Sequence, residues 1–349
     1  FRFGPEAACE QFGFDAAYPL DQLDQHVSEH LIGAQTLWHS LGQNPDWDAR
    51  AGRWLEHARA QSRAGKQAPT VVADWRALVE PMRRCKDAGE LALMQRAADI
   101  AANAHIRAMQ ACRPGLYEYQ LDAELQYAFL QAGGHPPSYP AIVAGGTNAC
   151  VLHYTTNNQP LRDGDLVLID AGCEVSGYAS DITRTFPVNG RFNSAQRDVY
   201  TITLAAQEAA IAATRPGAPF HAPHDAALRV LVQGMIDLKL CQGSLDGIIE
   251  TGDYRQFYMH RTSHWLGLDV HDAGPYHENN EWVRLQAGMT LTIEPGFYIR
   301  PADNVPVAFH NIGIRIEDDV VVTDTGCTVT TAMAPKEPAA IEALMADQA

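Results

Sequence analysis

The chain has 349 residues, of which 46% are hydrophobic and 19% charged, and its formal net charge is -16 at pH 7. These values predict one large domain or two, with an apolar core. The negative charge disfavours a nucleic-acid partner, and no apolar segment reaches the ~18 residues that a membrane-spanning helix needs. The seven cysteines are scattered and form no CxxC motif, which predicts a reduced, cytoplasmic protein.

The first 85 residues have a mixed pattern without a chemical motif. Helices are predicted over 25–41 and 47–63, separated by a Gly-Gln-Asn-Pro segment. Because the chain starts at Phe1 rather than Met, we expect residues 1–85 to be the remainder of a truncated, smaller N-terminal α/β domain. Residues 86–349 are predicted to form a second, larger domain.

The larger domain begins with two predicted helices. Asp87-Ala-Gly-Glu90 has the pattern of a capping box and opens a helix that stops at Arg113-Pro-Gly115. A second helix is predicted over 118–132, before Gly133-Gly134. The same order of elements recurs downstream, as a helix from Ser194 to Arg215-Pro-Gly217 and another over 223–240.

A strand hairpin follows the first helix pair. The apolar run Leu166-Val-Leu-Ile169 predicts a buried strand that leads into Asp170, and residues 182–188 predict its partner. A hairpin centred between Val175 and Ser176 would place Asp170 opposite Asp181, with Cβ atoms roughly 5 Å apart. Two carboxylates this close repel each other, and a bound metal ion is the simplest way to neutralise them.

The strand and its acid recur later in the chain. Residues 161–172 align without a gap on residues 285–296, which places Glu294 where Asp170 lies, and Glu317 is the counterpart of Asp181. The repeat predicts a pseudo-twofold α+β domain in which the site lies between two sheets and the helices cover the outside. Four carboxylates suit two divalent cations, with one acid from each half bridging them.

Three histidines lie within twelve residues, at His260, His264 and His271. We choose His264 as the metal ligand, because Mn²⁺, Co²⁺ or Zn²⁺ accepts one imidazole among oxygen ligands. His260 and His271 are then predicted to contact the substrate, since four acids and one histidine already complete a two-metal shell. A structural role is the alternative for each of these histidines.

The repeat also extends to two histidines that precede the acids. His153 lies 17 residues before Asp170, as His271 lies 23 residues before Glu294. Both histidines are therefore predicted to approach the metals, from opposite halves. The alternative is that they stabilise loops.

Two further side chains are candidates for the site. Arg315 stands two residues before Glu317, hence on the same strand face, where it binds substrate, balances the charge of Glu317 or does both. Tyr298, four residues after Glu294, either lines the pocket as a substrate-binding residue or packs. No motif for covalent catalysis is present, so a water molecule held by metal fits better.

With these residues assembled, the chain from about Asp74 to its C-terminal helix resembles the pita-bread metallopeptidases of the aminopeptidase P (Xaa-Pro aminopeptidase) type. The resemblance is carried by Ile-Asp170-Ala-Gly, Asp181-Ile-Thr-Arg-Thr-Phe-Pro-Val-Asn-Gly190, Ser263-His264-Trp-Leu-Gly-Leu-Asp-Val-His271-Asp, Ile-Glu294-Pro-Gly and Gly-Ile-Arg315-Ile-Glu317-Asp-Asp. It implies a pita-bread catalytic domain over 86–349, with two pseudo-twofold-related halves.

The resemblance also implies the chemistry. Its two-manganese site would have Asp170 on one metal, Asp181 and Glu317 bridging, and His264 and Glu294 on the other. Residues around the substrate would be His153, His260, His271 and Arg315. A peptide with an Xaa-Pro N-terminus would lose its first residue, with Glu294 relaying a proton to the proline nitrogen, and the chain would assemble as a dimer or tetramer.

Three other functions share parts of this pattern. Prolidase, which cuts only Xaa-Pro dipeptides, has the same five ligand types. Only the motif Ser263-His264-Trp-Leu-Gly-Leu-Asp269 distinguishes the aminopeptidase P type from it. A pita-bread module that binds peptides without cutting them is disfavoured by the intact ligand set, and a methionine aminopeptidase by residues 1–85. Arg261-Thr262 departs from the small and apolar residues expected between His260 and Ser263.

Overall fold

The computed structural model describes residues 3–346, and the chain divides into two compact units after Pro81. The first unit contains a short parallel strand pair and three helices. Its elements are α1 (Pro5–Phe12), α2 (Leu23–His30), β1 (Thr36–Trp38), α3 (Pro45–Ala60) and β2 (Val71–Ala73), and α4 (Arg76–Arg84) spans the division.

The prediction of a helix over 25–41 is wrong for the second half of that range. Helix α2 ends at His30, and Thr36–Trp38 forms strand β1, which pairs in parallel with β2. The strand is stabilised by a partner far away in the sequence, so local periodicity does not indicate it. The helix predicted over 47–63 is confirmed as α3, whose first turn is capped by the side chain of Asn44.

The second unit carries the remaining helices. They are α5 (Ala88–Ala111), α6 (Glu118–Ala132), α7 (Ser194–Ala213), α8 (Ala222–Asp237), α9 (Leu245–Thr251) and α10 (Pro338–Ala346). The two predicted helix pairs are therefore confirmed as α5–α6 and α7–α8. No helix in the described part of the chain is both long and apolar enough to cross a membrane.

Helix α5 starts where its capping pattern predicts. The Asp87 carboxylate accepts hydrogen bonds from the backbone N–H groups of Gly89 and Glu90, and the Glu90 carboxylate accepts from the N–H of Asp87 at 2.7 Å. These reciprocal bonds satisfy N–H groups that the first helical turn leaves unpaired. Helix α6 ends at Gly133, whose φ of 85° is the left-handed conformation that glycine adopts readily.

The first half of this unit contains a three-stranded antiparallel sheet in the order β3-β4-β7, with a small hairpin, β5-β6, between its last two strands. These strands are β3 (Ile142–Gly145), β4 (Leu166–Asp170), β5 (Glu174–Val175), β6 (Tyr178–Ala179) and β7 (Thr183–Pro187). Strand β4 is buried along its whole length, as its apolar sequence predicts.

The second half repeats this plan. Its sheet has the order β10-β13-β14, and the hairpin β11-β12 lies between β10 and β13 in the sequence. The strands are β8 (His277–Glu278), β9 (Glu281–Trp282), β10 (Thr290–Ile293), β11 (Gly296–Ile299), β12 (Ile312–Arg315), β13 (Asp318–Val322) and β14 (Cys327–Val329). The predicted α+β domain of two related halves is thus confirmed.

The predicted register of the first hairpin is wrong by two residues. Asp170 pairs with Thr183 rather than facing Asp181. The turn is centred between Ser176 and Gly177, whose φ values of 52° and 86° are those of a two-residue type I′ turn. A non-glycine residue rarely adopts positive φ, so the sequence does not indicate Ser176 as a turn centre.

The two halves are joined directly at the ends of their strands. Thr183 and Glu317 form an antiparallel bridge in which the Glu317 N–H donates to the Thr183 carbonyl at 3.0 Å. The guanidinium of Arg184 is fully buried and donates to the Glu317 carbonyl and to the Asp318 carboxylate, both at 2.6 Å. It also donates to the carbonyl of Ala334 at 2.9 Å.

Candidate metal centre and substrate cavity

The four predicted acids meet in one cavity. Asp170 ends β4 and Glu294 directly follows β10, while Asp181 and Glu317 lie just before β7 and β13. All four line a cavity of ≈ 410 Å³. The acids therefore converge even though Asp170 and Asp181 are not paired across the hairpin.

The same cavity receives the other predicted site residues, with one exception. Its lining includes the predicted set His153, His260, His264, His271 and Arg315. Tyr298 is absent from the described lining residues and is fully buried. The substrate contact predicted for Tyr298 therefore does not match its position.

The tightest group of ligand atoms belongs to Asp181, His264 and Glu317. One ligand atom from each lies within 4.8 Å of the other two. The His264 Nε2 atom lies 3.4 Å from an Asp181 oxygen and 4.0 Å from a Glu294 oxygen. Carboxylate oxygens with one imidazole fit a divalent cation of the Mn²⁺, Co²⁺ or Zn²⁺ type.

Asp170 lies beside this group and is held by two other side chains. The Tyr139 hydroxyl donates to Asp170 at 2.6 Å and also contacts Asp181. Arg315 donates to the other Asp170 oxygen at 2.6 Å. Both Asp170 oxygens therefore already have protein partners.

Arg315 balances part of the charge of Glu317, as predicted, but its direct ion pair is with another acid. Strand β12 ends at Arg315, and the guanidinium pairs with Asp170 across the halves. Glu317 is instead contacted by the hydroxyl of Thr183, which donates to its carboxylate at 2.6 Å. Each half thus supplies the donor that the acid of the other half requires.

Tyr298 links Arg315 to His260 behind the cavity wall. Arg315 has only donors, so the Tyr298 oxygen accepts from it at 3.0 Å and donates its own hydrogen to His260 Nε2 at 2.8 Å. The proton of a neutral His260 is then on Nδ1, which lies 2.7 Å from the Arg261 carbonyl and 3.7 Å from Glu294. Tyr298 thus positions two residues that do line the cavity.

Burial and the charge of Arg315 keep His260 neutral, since they lower its pKa to about 3. Burial opposes the charged form of His264 as well, but the hydrogen bond and charge of Asp181 outweigh it and raise the His264 pKa to about 9. The His271 ring packs edge-on against His264, with centroids 4.3 Å apart. Burial and the charge of His264 lower the His271 pKa.

Three of the acids, Asp181, Glu294 and Glu317, have raised pKa values in the metal-free chain. Burial raises the pKa of Glu294 to about 7. Burial and the charge of Asp170 raise the pKa of Asp181, while burial and the charge of Asp181 raise that of Glu317 well above its usual range. The cluster carries more negative charge than nearby groups neutralise, and a divalent cation would supply the difference.

The glycines that follow the two strand-end acids are required by close packing. A Cβ atom on Gly172 would lie 1.9 Å from the carbonyl oxygen of Ser180, and one on Gly296 would lie 2.4 Å from the Tyr298 hydroxyl. Gly172 lets the end of β4 pass close to the backbone that follows β6, and Gly296 leaves room for the Tyr298 side chain of its own strand. This accounts for the acid-x-Gly pattern in both halves.

Sequence reasoning missed three residues that support the acids. Tyr139 and Thr183 donate to site carboxylates, and Asp319 is buried with an oxygen that accepts from the Asp181 N–H at 3.0 Å. Burial and the charge of Asp181 raise the Asp319 pKa well above its usual range. The sequence indicates these three residues only indirectly. Tyr139 lies just before β3, which pairs with β4, and Thr183 and Asp319 each lie two residues after a predicted metal ligand.

This metal-ligating cavity between two related halves is that of a metallopeptidase, and residues 92–324 match Metallopeptidase family M24. The chain belongs to that family and has the pita-bread fold. Membership and the ligand group together imply divalent metal ions.

Individual relatives are similar over almost the whole chain. The Xaa-Pro aminopeptidase of Escherichia coli (strain K12) is 45% identical over 344 residues, which are 99% of this chain and 78% of the relative. The Pseudomonas aeruginosa aminopeptidase PepP is 46% identical, with a TM-score of 0.97 over 99% of this chain and 79% of that one. A zinc-substituted aminopeptidase P of E. coli in complex with product is 45% identical, with a TM-score of 0.96 over 100% and 79%.

Proposed function

We propose that this protein is a Xaa-Pro aminopeptidase, a hydrolase that removes the N-terminal residue from peptides with proline in second place. The observation that carries the proposal is the convergence of four acids, His264 and Arg315 in one cavity, in a chain 45% identical to a Xaa-Pro aminopeptidase. A peptide-binding module without activity would not need this concentration of acids, whose mutual repulsion costs stability.

The ligand assignment remains part of the proposal. Asp170 would bind one metal, Asp181 and Glu317 would bridge, and His264 and Glu294 would bind the other. Two divalent cations per chain are proposed, as Mn²⁺, with Co²⁺ or Zn²⁺ as alternatives. When bound, they supply a Lewis acid and a water of lowered pKa.

Residues of the chain itself provide the proton handling. Glu294 lines the cavity of the acids, where its carboxylate can pass a proton to the leaving proline nitrogen. His153 and His271 face the cavity from opposite halves and can hydrogen-bond the substrate. Arg315 and Tyr298 hold His260 in one orientation.

The proposed specificity follows from charge and from the chemistry of proline. An acidic cluster attracts the substrate's terminal ammonium, so cleavage falls one residue from that end. The proline nitrogen carries no hydrogen and its ring fixes φ, so the site needs no acceptor for an N–H group there. The proposed site therefore suits a peptide that has both a free N-terminus and proline as its second residue.

A matched peptide series tests the proposal. Xaa-Pro-Yaa, Xaa-Ala-Yaa and acetyl-Xaa-Pro-Yaa are compared with Mn²⁺ present, and only the first is expected to be cleaved efficiently. Equal rates on the alanine peptide, or cleavage of the acetylated one, would indicate a broader peptidase. Cleavage of Xaa-Pro dipeptides but not of the tripeptide would indicate a prolidase.

Further parts of the proposal concern the whole chain. Residues 86–349 would be the catalytic domain and residues 1–85 part of a separate N-terminal domain. The chain would act in the cytoplasm as a homodimer or homotetramer. Size-exclusion chromatography with light scattering measures the assembly state directly.

A further inference from the structure

A second cavity adjoins the one that holds the acids. It has a volume of ≈ 320 Å³ and is lined mainly by rings, those of Phe220, His221, His224, Tyr276, His277 and Trp282. We call it the aromatic pocket. The Trp282 ring lies with its centroid 3.8 Å from His277 and 6.5 Å from Phe220, so these rings form a continuous surface.

Two residues line both cavities, and one of them is charged. They are Arg261 and Ser263, which therefore mark the boundary between the acids and the aromatic pocket. The Arg261 guanidinium lies 6.0 Å from the centroid of Trp282, at the outer limit of a cation–π contact. Ser263 has a buried hydroxyl without a partner among the described residues.

The guanidinium of Arg261 has no carboxylate of its own. Among the described residues, no acid lies within 4.0 Å of it, whereas Arg315, the other arginine that lines the cavity of the acids, pairs with Asp170. The side chain is exposed, so it remains free to bind an anion that enters the boundary. Arginine binds carboxylates in a bidentate manner.

We infer that Arg261 binds a carboxylate on the third residue of the substrate, and that the aromatic pocket holds the apolar part of that residue. The inference rests on the proposed function and adds the downstream specificity. The acids at one end and the guanidinium at the other complement a short peptide with a terminal ammonium and a carboxylate.

Arg261 lines the same cavity as the acids, which suits a substrate as short as a tripeptide. Two extended residues after the scissile bond span roughly 7 Å. Arg261 is the chain neighbour of His260, whose ring lies 3.7 Å from Glu294, so its side chain starts close to the reacting end. A third-residue carboxylate, at the C-terminus or on an Asp side chain, is therefore the proposed partner of its guanidinium.

The test compares three peptides, Xaa-Pro-Ala with a free carboxylate, Xaa-Pro-Ala-amide and Xaa-Pro-Asp-amide. The wild-type enzyme is expected to show kcat/KM about fivefold higher for the free acid than for the alanine amide, as an exposed ion pair gives at its upper range. The aspartate amide distinguishes a side-chain carboxylate from the terminal one. In Arg261→Gln the ratio of acid to amide is expected to fall to about one.

The matched control is Arg255→Gln, an exposed arginine six residues earlier whose guanidinium contacts Tyr254 and which does not line the cavity of the acids. Its ratio should equal the wild-type ratio, and bound metal should be unchanged in both variants. A wild-type ratio of one, or an unchanged ratio in Arg261→Gln, would overturn the inference. If no proline peptide is cleaved, the proposed function fails, and calorimetric titration with the same peptides still decides whether Arg261 distinguishes acid from amide.

Discussion

The two halves of the metal-binding unit hold equivalent acids by different means. In the first half only residues 171–182 separate β4 from β7, and a two-residue turn reverses the chain. In the second half residues 294–317 separate β10 from β13, about twice as many. The longer connection contains β11 and β12, which carry Tyr298 and Arg315.

The longer connection supplies the guanidinium that contacts the acid of the first half. Arg315 reaches across to Asp170, while the first half returns a hydroxyl, that of Thr183, to Glu317. A duplicated fold therefore does not yield a symmetric site. The repeat places the acids, and the unequal insertions determine which acid also has a protein cation beside it.

The largest effect is expected from neutralising Asp181 and Glu317, the acids that occupy equivalent positions in the two halves. Asp181→Asn and Glu317→Gln are each expected to lose bound metal, and the activity of each should fall more than about 10²-fold. Mutation of residues that only support metal ligands already lowers metal affinity or activity 10- to 100-fold. Metal analysis of the purified variants measures this directly. If one variant keeps full metal content, the two acids are not equivalent.

The histidine counterparts test the comparison outside the ligand set. His153→Ala and His271→Ala are each expected to lower kcat about 10²-fold while metal content stays near the wild-type value, since a contact to the substrate is lost and no ligand is removed. Steady-state kinetics with metal analysis separates the two effects. Loss of metal in either variant would identify that histidine as a ligand.

A smaller effect is expected from the residue that belongs to the longer connection alone. Tyr298→Phe removes the hydroxyl between Arg315 and His260 and should lower kcat about 10-fold without loss of metal. Tyr200→Phe is the matched control, because Tyr200 is also fully buried but donates to the Lys336 carbonyl away from the cavity. Equal kinetic losses in the two variants would mean that Tyr298 acts only in folding.

The smallest expected effect is a change of stability with pH. The pKa of Glu294 is 4.5 in the unfolded chain and about 7 in the folded one. Between these pH values the folded chain binds more protons than the unfolded chain, so the free energy of unfolding falls as pH rises. His264, raised from 6.5 to about 9, acts in the same direction. Above pH 7 the lowered pKa values of His260 and His271 no longer act in the opposite direction, so the metal-free protein should lose a few degrees of Tm between pH 7 and pH 9.

Added Mn²⁺ should reverse this trend, because the cation displaces those protons and binds more tightly as pH rises. Differential scanning fluorimetry with and without Mn²⁺ measures both curves. A metal-free Tm that increases steadily from pH 7 to pH 9 would contradict the assignment of Glu294 and His264 to one cluster.

Much of the fold could be predicted because its signals are local or repeated. The capping box at Asp87 and the acid-x-Gly pattern after β4 and β10 depend on nearby residues, and the structure agrees with both. The errors concern contacts between distant segments. Strand β1 needs a remote partner, Arg315 binds an acid of the other half, and Ser176 adopts positive φ against its usual preference.

The buried Arg184 has a consequence for how the protein is made. It joins β7 to Glu317, Asp318 and Ala334, so its partners are synthesised some 130 to 150 residues after it. A nascent chain emerging from the ribosome cannot align the bridge between Thr183 and Glu317 until this last segment is complete. The group formed by Asp181, His264 and Glu317 is likewise complete only after Glu317 has been synthesised, so a cation that needs all three ligands meets an almost complete chain.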